Sequence, residues 1–213
     1  MVIDGDPQNE GVIAPLEPKI SQKSLRGAYE YVDLDFEYHN ISGFRSFIEG
    51  TVFSKSNELL QTDYILSSDT QYFKRIGKKG NWANRFQFQY SNPVDNTNFT
   101  PITIDNQLNT RGAGNTIDRG TAAIALNTEY RHTFIEKDWF VLQGNSFLDV
   151  SGIQRPGEDF GDSFASERLR INPGIGIRLI HKRILNAALR FDYGIDVTGN
   201  GNSGIVFGIG QYF

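Results

Sequence analysis

From Ala28 onward, apolar and polar side chains alternate with a period of two almost everywhere, broken chiefly by a stretch rich in Asn, Thr and Gly at 92–120, and no stretch carries the 3.6-residue stripe of an amphipathic helix. That periodicity restricts the chain to β-strands whose two faces differ in polarity. Val32, Leu34, Phe36 and Tyr38 alternate with Asp33, Asp35 and Glu37. Further strands are expected over about 42–54, 62–75, 82–91, 121–134, 139–150, 168–179 and 185–197. The ninth and last, about 204–213, sets Ile205, Phe207, Ile209 and Phe213 on one face against Val206, Gly208, Gly210 and Tyr212 on the other. So apolar an ending is unusual for a terminus of a water-soluble fold, where ends are polar and frayed. In outer-membrane barrels the last strand closes the cylinder with its apolar face against lipid. An ordered last strand in a soluble sheet is the other reading.

Composition narrows the function classes. The 213 residues include 22 Gly, 16 Phe and 9 Tyr, which is β-rich usage. A formal net charge of −4 argues against a broad nucleic-acid surface. Cysteine is absent, which excludes disulfides, thiol nucleophiles and thiolate metal sites together. The three histidines, His39, His132 and His181, have no metal-ligand spacing, and no nucleophile elbow, phosphate loop or zinc motif occurs. Neither a cofactor nor a metal is expected, and the chain does not read as an enzyme. Asp33, Asp35 and Glu37 share a strand face, as a paired-carboxylate site would; a hydrated lumen wall explains them more simply. A calcium site at 159–162 is a weaker alternative to an ordinary acidic loop. Residues 1–25, with Pro7, Pro15 and Pro18, read as an irregular loop or linker.

Alternation alone does not say which face is outside. A lipocalin-like barrel turns its apolar side chains inward, a membrane barrel outward. Connection lengths discriminate between them. The segments 39–41, 76–81, 135–138 and 180–184 are short, whereas 92–120 and 151–167 are long. Short periplasmic turns facing longer extracellular loops are the membrane-barrel pattern, and they put Phe213 at the periplasmic end. Three observations point to the C-terminal portion of a larger barrel. Nine strands is an odd number where single-chain bacterial barrels have an even one, the loop alternation puts residues 1–25 on the extracellular side where a complete barrel begins in the periplasm, and the N-terminus lacks the basic and apolar regions of an export signal. A missed strand within 1–25, or one strand split in two, is the alternative. The expected fold is therefore all-β: an antiparallel transmembrane β-barrel, of which 26–213 supply about nine strands as the C-terminal portion, with a long loop at about 92–120.

The long loop carries Thr110-Arg111-Gly112-Ala113-Gly114, and the second strand after it carries Phe147-Leu148-Asp149-Val150-Ser151-Gly152. In these runs the chain resembles the BamA-type surface-antigen superfamily of outer-membrane barrels, which includes TamA-like and two-partner-secretion translocators. That family bears an Arg-Gly-aromatic tip on a loop folded into the lumen, and the arginine packs on the aspartate of a Phe-x-Asp-x-Gly strand motif. The resemblance assigns Arg111 and Gly112 to the loop tip, Phe147 and Asp149 to the strand motif, and Glu129 to an acidic position on the intervening strand. It covers about 105–213, where Leu189 to Gly194 and the closing-strand residues Phe207, Ile209, Tyr212 and Phe213 also resemble the family's last two strands. Two positions depart from the pattern: Ala113 stands where an aromatic is usual, and Ser151 displaces the motif glycine to Gly152.

Independently of the family, Phe147 and Asp149 share the polar parity of their strand, and an Arg–carboxylate pair in a partly dehydrated lumen would be directional and strong. The plain alternative is that Arg111 is a solvated loop residue. The resemblance implies a non-enzymatic protein that inserts or translocates polypeptides at the bacterial outer membrane. Its expected partners are outer-membrane lipid, a client outer-membrane or secreted polypeptide, and upstream periplasmic domains or missing N-terminal barrel strands. A passive pore, a ligand-binding barrel, or the membrane anchor of an upstream soluble domain are the alternatives.

Overall fold

The computed structural model describes residues 23–37, 39–54, 62–93, 101–104, 110–113, 117–165, 168–184, 188–198, 201–210 and 213. They form an all-β, antiparallel structure. Nine strands make one sheet: β1 (Ser24–Glu37), β2 (Asn40–Phe53), β3 (Thr62–Ile76), β4 (Gly80–Pro93), β7 (Ala122–Glu136), β8 (Phe140–Gln154), β9 (Arg170–His181), β10 (Ala188–Ile195) and β11 (Ser203–Ile209). Each pairs with its sequence neighbour, a meander in the order β1-β2-β3-β4-β7-β8-β9-β10-β11. Between β4 and β7 the segment expected to be a bare loop contains a short antiparallel pair of its own, β5 (Ile102–Ile104) with β6 (Asp118–Gly120).

Residues directly opposite in antiparallel strands share a face, so the register assigns every side chain to one of two surfaces. On one lie Gln71, Arg85 and Asn127, then Glu129 opposite Phe147, and Asp149 opposite Asn172. On the other lie Phe86 opposite Leu126, Ile177 opposite Phe191, and Phe191 opposite Phe207. The polar surface is the buried one. The largest fully buried side chains are Arg111, Arg131, Arg178, Gln143 and Glu129, whereas Ile175, Phe191 and Ile209 are 67%, 49% and 76% exposed. A water-soluble fold has the opposite distribution, since charged groups are rarely buried and large apolar patches rarely exposed.

Burial of the polar face follows from curling. Phe213 lies with its ring centroid 6.4 Å from that of Phe73 on β3. In a flat sheet β11 and β3 would stand six strand spacings, ~29 Å, apart, and the four residues after Ile209 reach at most ~14 Å. The sheet therefore bends around its polar face, which we call the inner face. It is not closed: among the described residues β1 and β11 are its edges and do not pair with each other.

Two sequence expectations change here. Strand β11 ends at Ile209, followed by Gly210 at φ 96°, and Phe213 turns to the inner face, where Arg131 Nη2 donates to its carbonyl oxygen at 3.1 Å. Phe213 therefore does not continue the outward row of Phe207 and Ile209: the strand ends at Ile209 and the next residue, Gly210, has a positive φ, outside the extended region; Tyr212 lies outside the described residues. In β1, Asp33 is opposite Phe44 and Val32 opposite Arg45. Asp33 thus shares the outer face with Phe44, and the lumen-wall reading of this carboxylate is reversed by register.

Candidate functional site on the inner face

Three strand segments converge on the loop tip 110–113. On β7 the inner parity is held by Asn127, Glu129 and Arg131, on β8 by Asn145, Phe147 and Asp149, and on β10 by Arg190, Asp192 and Gly194. Pairing of Glu129 with Phe147 and of Phe147 with Gly174 stacks these residues at one height across the sheet. The loop descends onto that patch, and Thr110, Arg111 and Ala113 are all buried.

Arg111 is 0% exposed and is held from every side. Its Nε and Nη2 donate to the two oxygens of Asp149, both at 2.9 Å, and its backbone N–H donates to Asp149 Oδ2 at 2.9 Å. Nη1 donates to Glu129 Oε2 at 2.7 Å and lies 3.5 Å from Asp192 Oδ2. The guanidinium plane covers the Phe147 ring at 3.6 Å from its centroid. Asp149 thus grips side chain and main chain together, a planar bidentate contact that lysine could not reproduce.

Close backbone approach makes room for this arrangement. Gly112 adopts φ 87°, and a Cβ there would stand 2.5 Å from the Gly194 carbonyl carbon on β10. A side chain at Gly174 would clash with the Phe147 ring, so the empty position on β9 is the slot in which that ring lies beneath Arg111.

Glu129 is the hub of the charge cluster. Its Oε2 takes Arg111, while Oε1 accepts from Arg131 Nε and from Arg178 Nη2, the latter at 2.7 Å. Asp192 accepts from Asn145 Nδ2 at 3.1 Å and lies 3.5 Å from Arg190 Nη1. Four buried guanidiniums, Arg111, Arg131, Arg178 and Arg190, face the three buried carboxylates Glu129, Asp149 and Asp192. Buried charge is tolerated only where it is paired and hydrogen-bonded, and here each carboxylate meets more than one donor.

The loop has two further attachments. Asp118 on β6 accepts from Arg170 Nε at 2.6 Å, and Arg170 Nη1 reaches Asp196 at 3.1 Å. Ile102 and Ile104 on β5 pack with Ala123 and Ile153 in an apolar cluster that Ile65 flanks.

The structure brings together all five residues assigned to the loop site: Arg111, Gly112, Glu129, Phe147 and Asp149. Sequence reasoning did not assign Arg131, Arg178, Asp192, Asn145, Gly174 or Gly194. Their inner parity was readable strand by strand, but the height at which each meets the loop depends on register. Among the closing-strand residues, Phe207 and Ile209 are exposed on the outer face of β11, far from the cluster's inward parity. No protein-family model and no curated protein matches the chain.

Proposed function

We propose that this chain is part of an outer-membrane β-barrel of the BamA-type surface-antigen superfamily, completed to a closed cylinder of about sixteen strands by further strands, and that it acts in insertion or translocation of polypeptides without enzymatic chemistry. The observation that carries the reading is the inverted polarity of β7 to β11, with arginines and carboxylates inside and Ile175, Phe191 and Phe207 outside. In hydrocarbon that distribution is favourable on both faces, since apolar side chains meet lipid and charges meet a wet, self-compensated lumen. Exposed Trp82, Tyr130, Phe134 and Trp139 gather near the short-turn end of β4, β7 and β8, as an interfacial aromatic belt would. The open edges β1 and β11 present unpaired backbone that a bilayer does not tolerate, which favours additional strands.

In this reading the loop tip is a lumenal lock. Arg111 ties the segment between β4 and β7 to β7, β8 and β10 at once, keeping the loop inside the cylinder and the β7–β10 wall in one register. Passage of a client would require that loop to stay docked while the lumen or an edge strand rearranges. The bacterial outer membrane is the proposed location, with short turns toward the periplasm.

The test is fractionation of the intact protein combined with a semi-native gel. Recovery in outer membranes with heat-modifiable migration, and a drop in other barrel proteins when Arg111→Ala replaces the wild type, are the expected results. Recovery in the soluble fraction with heat-insensitive migration would overturn the reading.

A further inference from the structure

The connection from β8 to β9 holds a single 3-10 turn, Phe160–Phe164, whose start is braced by Asp159 N–H donating to the Asp162 carboxylate at 3.0 Å. Two contacts fix the side of the sheet on which it lies. The Phe160 ring meets Phe88 edge-on with centroids 6.0 Å apart, and Phe88 is opposite Ser68 and Ile124 on the outer parity. Gly152 is opposite Ile124, and a Cβ there would clash with the Ser163 carbonyl oxygen. The backbone of the turn therefore presses against the outer side of β8, and the glycine displaced by one position in the strand motif is what admits it.

Ser163 is buried by that contact, while Phe160 and Phe164 remain 41% and 52% exposed, packed edge-to-face at 5.8 Å. Phe160 packs on Phe88, which stands two residues along the outer face of β4 from the exposed Phe86 and its partner Leu126. Charged residues flank the pair in the chain: Arg168 Nη2 donates to Glu158 at 2.8 Å, and Asp159 and Asp162 lie in the first part of the turn. Apolar rings packed against the outer face and flanked by charged side chains match the headgroup–acyl boundary of a bilayer, where aromatic side chains are favoured.

We propose that the Phe160–Phe164 turn is an interfacial anchor, with Phe160 and Phe164 seated in the upper acyl region of the leaflet on the long-loop side. The inference rests on the membrane reading above. It adds a lipid contact made by a connecting segment, at the same strand that holds Phe147 and Asp149, so that seating of the turn and docking of the loop bear on opposite faces of β8.

This chain has no cysteine, so single cysteines carrying a nitroxide can be placed at 164, at 191 on the outer face and at 78 in the exposed β3–β4 turn, in the protein assembled in native membrane vesicles. The expected ratio of oxygen to nickel-chelate accessibility at 164 is several-fold above that at 78 and below that at 191. Equal ratios at 164 and 78, with 191 lipid-like, overturn the anchor and leave the membrane reading intact. A water-like label at 191 overturns both. Gly152→Val should push the turn off β8 and move the label at 164 toward the value at 78; an unchanged ratio there refutes the seating. A label at 160 replaces the one at 164 if the Phe164→Cys protein does not assemble.

Discussion

Replacing Glu129 with glutamine tests the charge cluster most directly. The amide keeps the size and shape of the side chain but leaves four buried guanidiniums facing Asp149 and Asp192 alone. The amide oxygen can still accept from Arg131 Nε and Arg178 Nη2, but it carries no charge for them, and the NH2 that replaces Oε2 is a donor facing Arg111 Nη1, while Arg111 keeps Asp149. Charge-assisted hydrogen bonds contribute about 1.5–3 kcal/mol each, but they are not additive, and stranding buried charge by removing one partner costs about 3–5 kcal/mol. We expect Glu129→Gln to cost about 4 kcal/mol on that scale. Asp149→Asn should cost about half as much, because Arg111 retains Glu129 and the asparagine oxygen still accepts the Arg111 N–H. The assay is equilibrium urea unfolding of the intact protein in lipid, with hydrogen exchange at residues 110–113 to register release of the loop. A Glu129→Gln cost below about 1 kcal/mol, or one smaller than that of Asp149→Asn, would show that the hub assignment is wrong.

Four other outcomes are expected. In a double-mutant cycle, Arg111→Ala and Asp149→Ala should couple by about 2–3 kcal/mol, read as loop protection from protease; additive effects would break the pairing. Arg111→Lys should lower the docked-to-undocked ratio about tenfold by the same proteolysis, since one ammonium cannot span Asp149 and Glu129 or stack on Phe147. Phe191→Arg should destabilise the protein in a bilayer by about 2–4 kcal/mol, measured by the urea midpoint in lipid; an unchanged midpoint would break the outward assignment of that face. Burial in the β1–β2 turn lowers the His39 imidazole below its ordinary value, so it stays neutral where the unfolded chain takes up a proton. Stability should then fall as pH drops from about 6.5 toward the folded value, and His39→Gln, followed by denaturation between about pH 7 and pH 5, should remove that slope.

The alternation of side chains located the nine strands that, among the described residues, form one antiparallel meander, because a period of two is the mark of a strand with unlike faces. It also marked which parity of most strands is polar, and the Arg111–Gly112 and Phe147–Asp149 runs named the two halves of a site 38 residues apart. Height and curvature it could not determine. That Glu129 meets Arg131 and Arg178 as well as Arg111, that Asp192 closes the cluster from β10, and that Gly174 leaves the slot for the Phe147 ring all follow from register and bending, which depend on pairings summed over the four strands β7 to β10. The same holds for the reversals. Strand β11 stops at a positive-φ glycine, Gly210, before Phe213 meets the inner face, and the β1–β2 register places Asp33 beside Phe44; local alternation is blind to both, since each is decided by backbone geometry rather than by the order of polar and apolar residues.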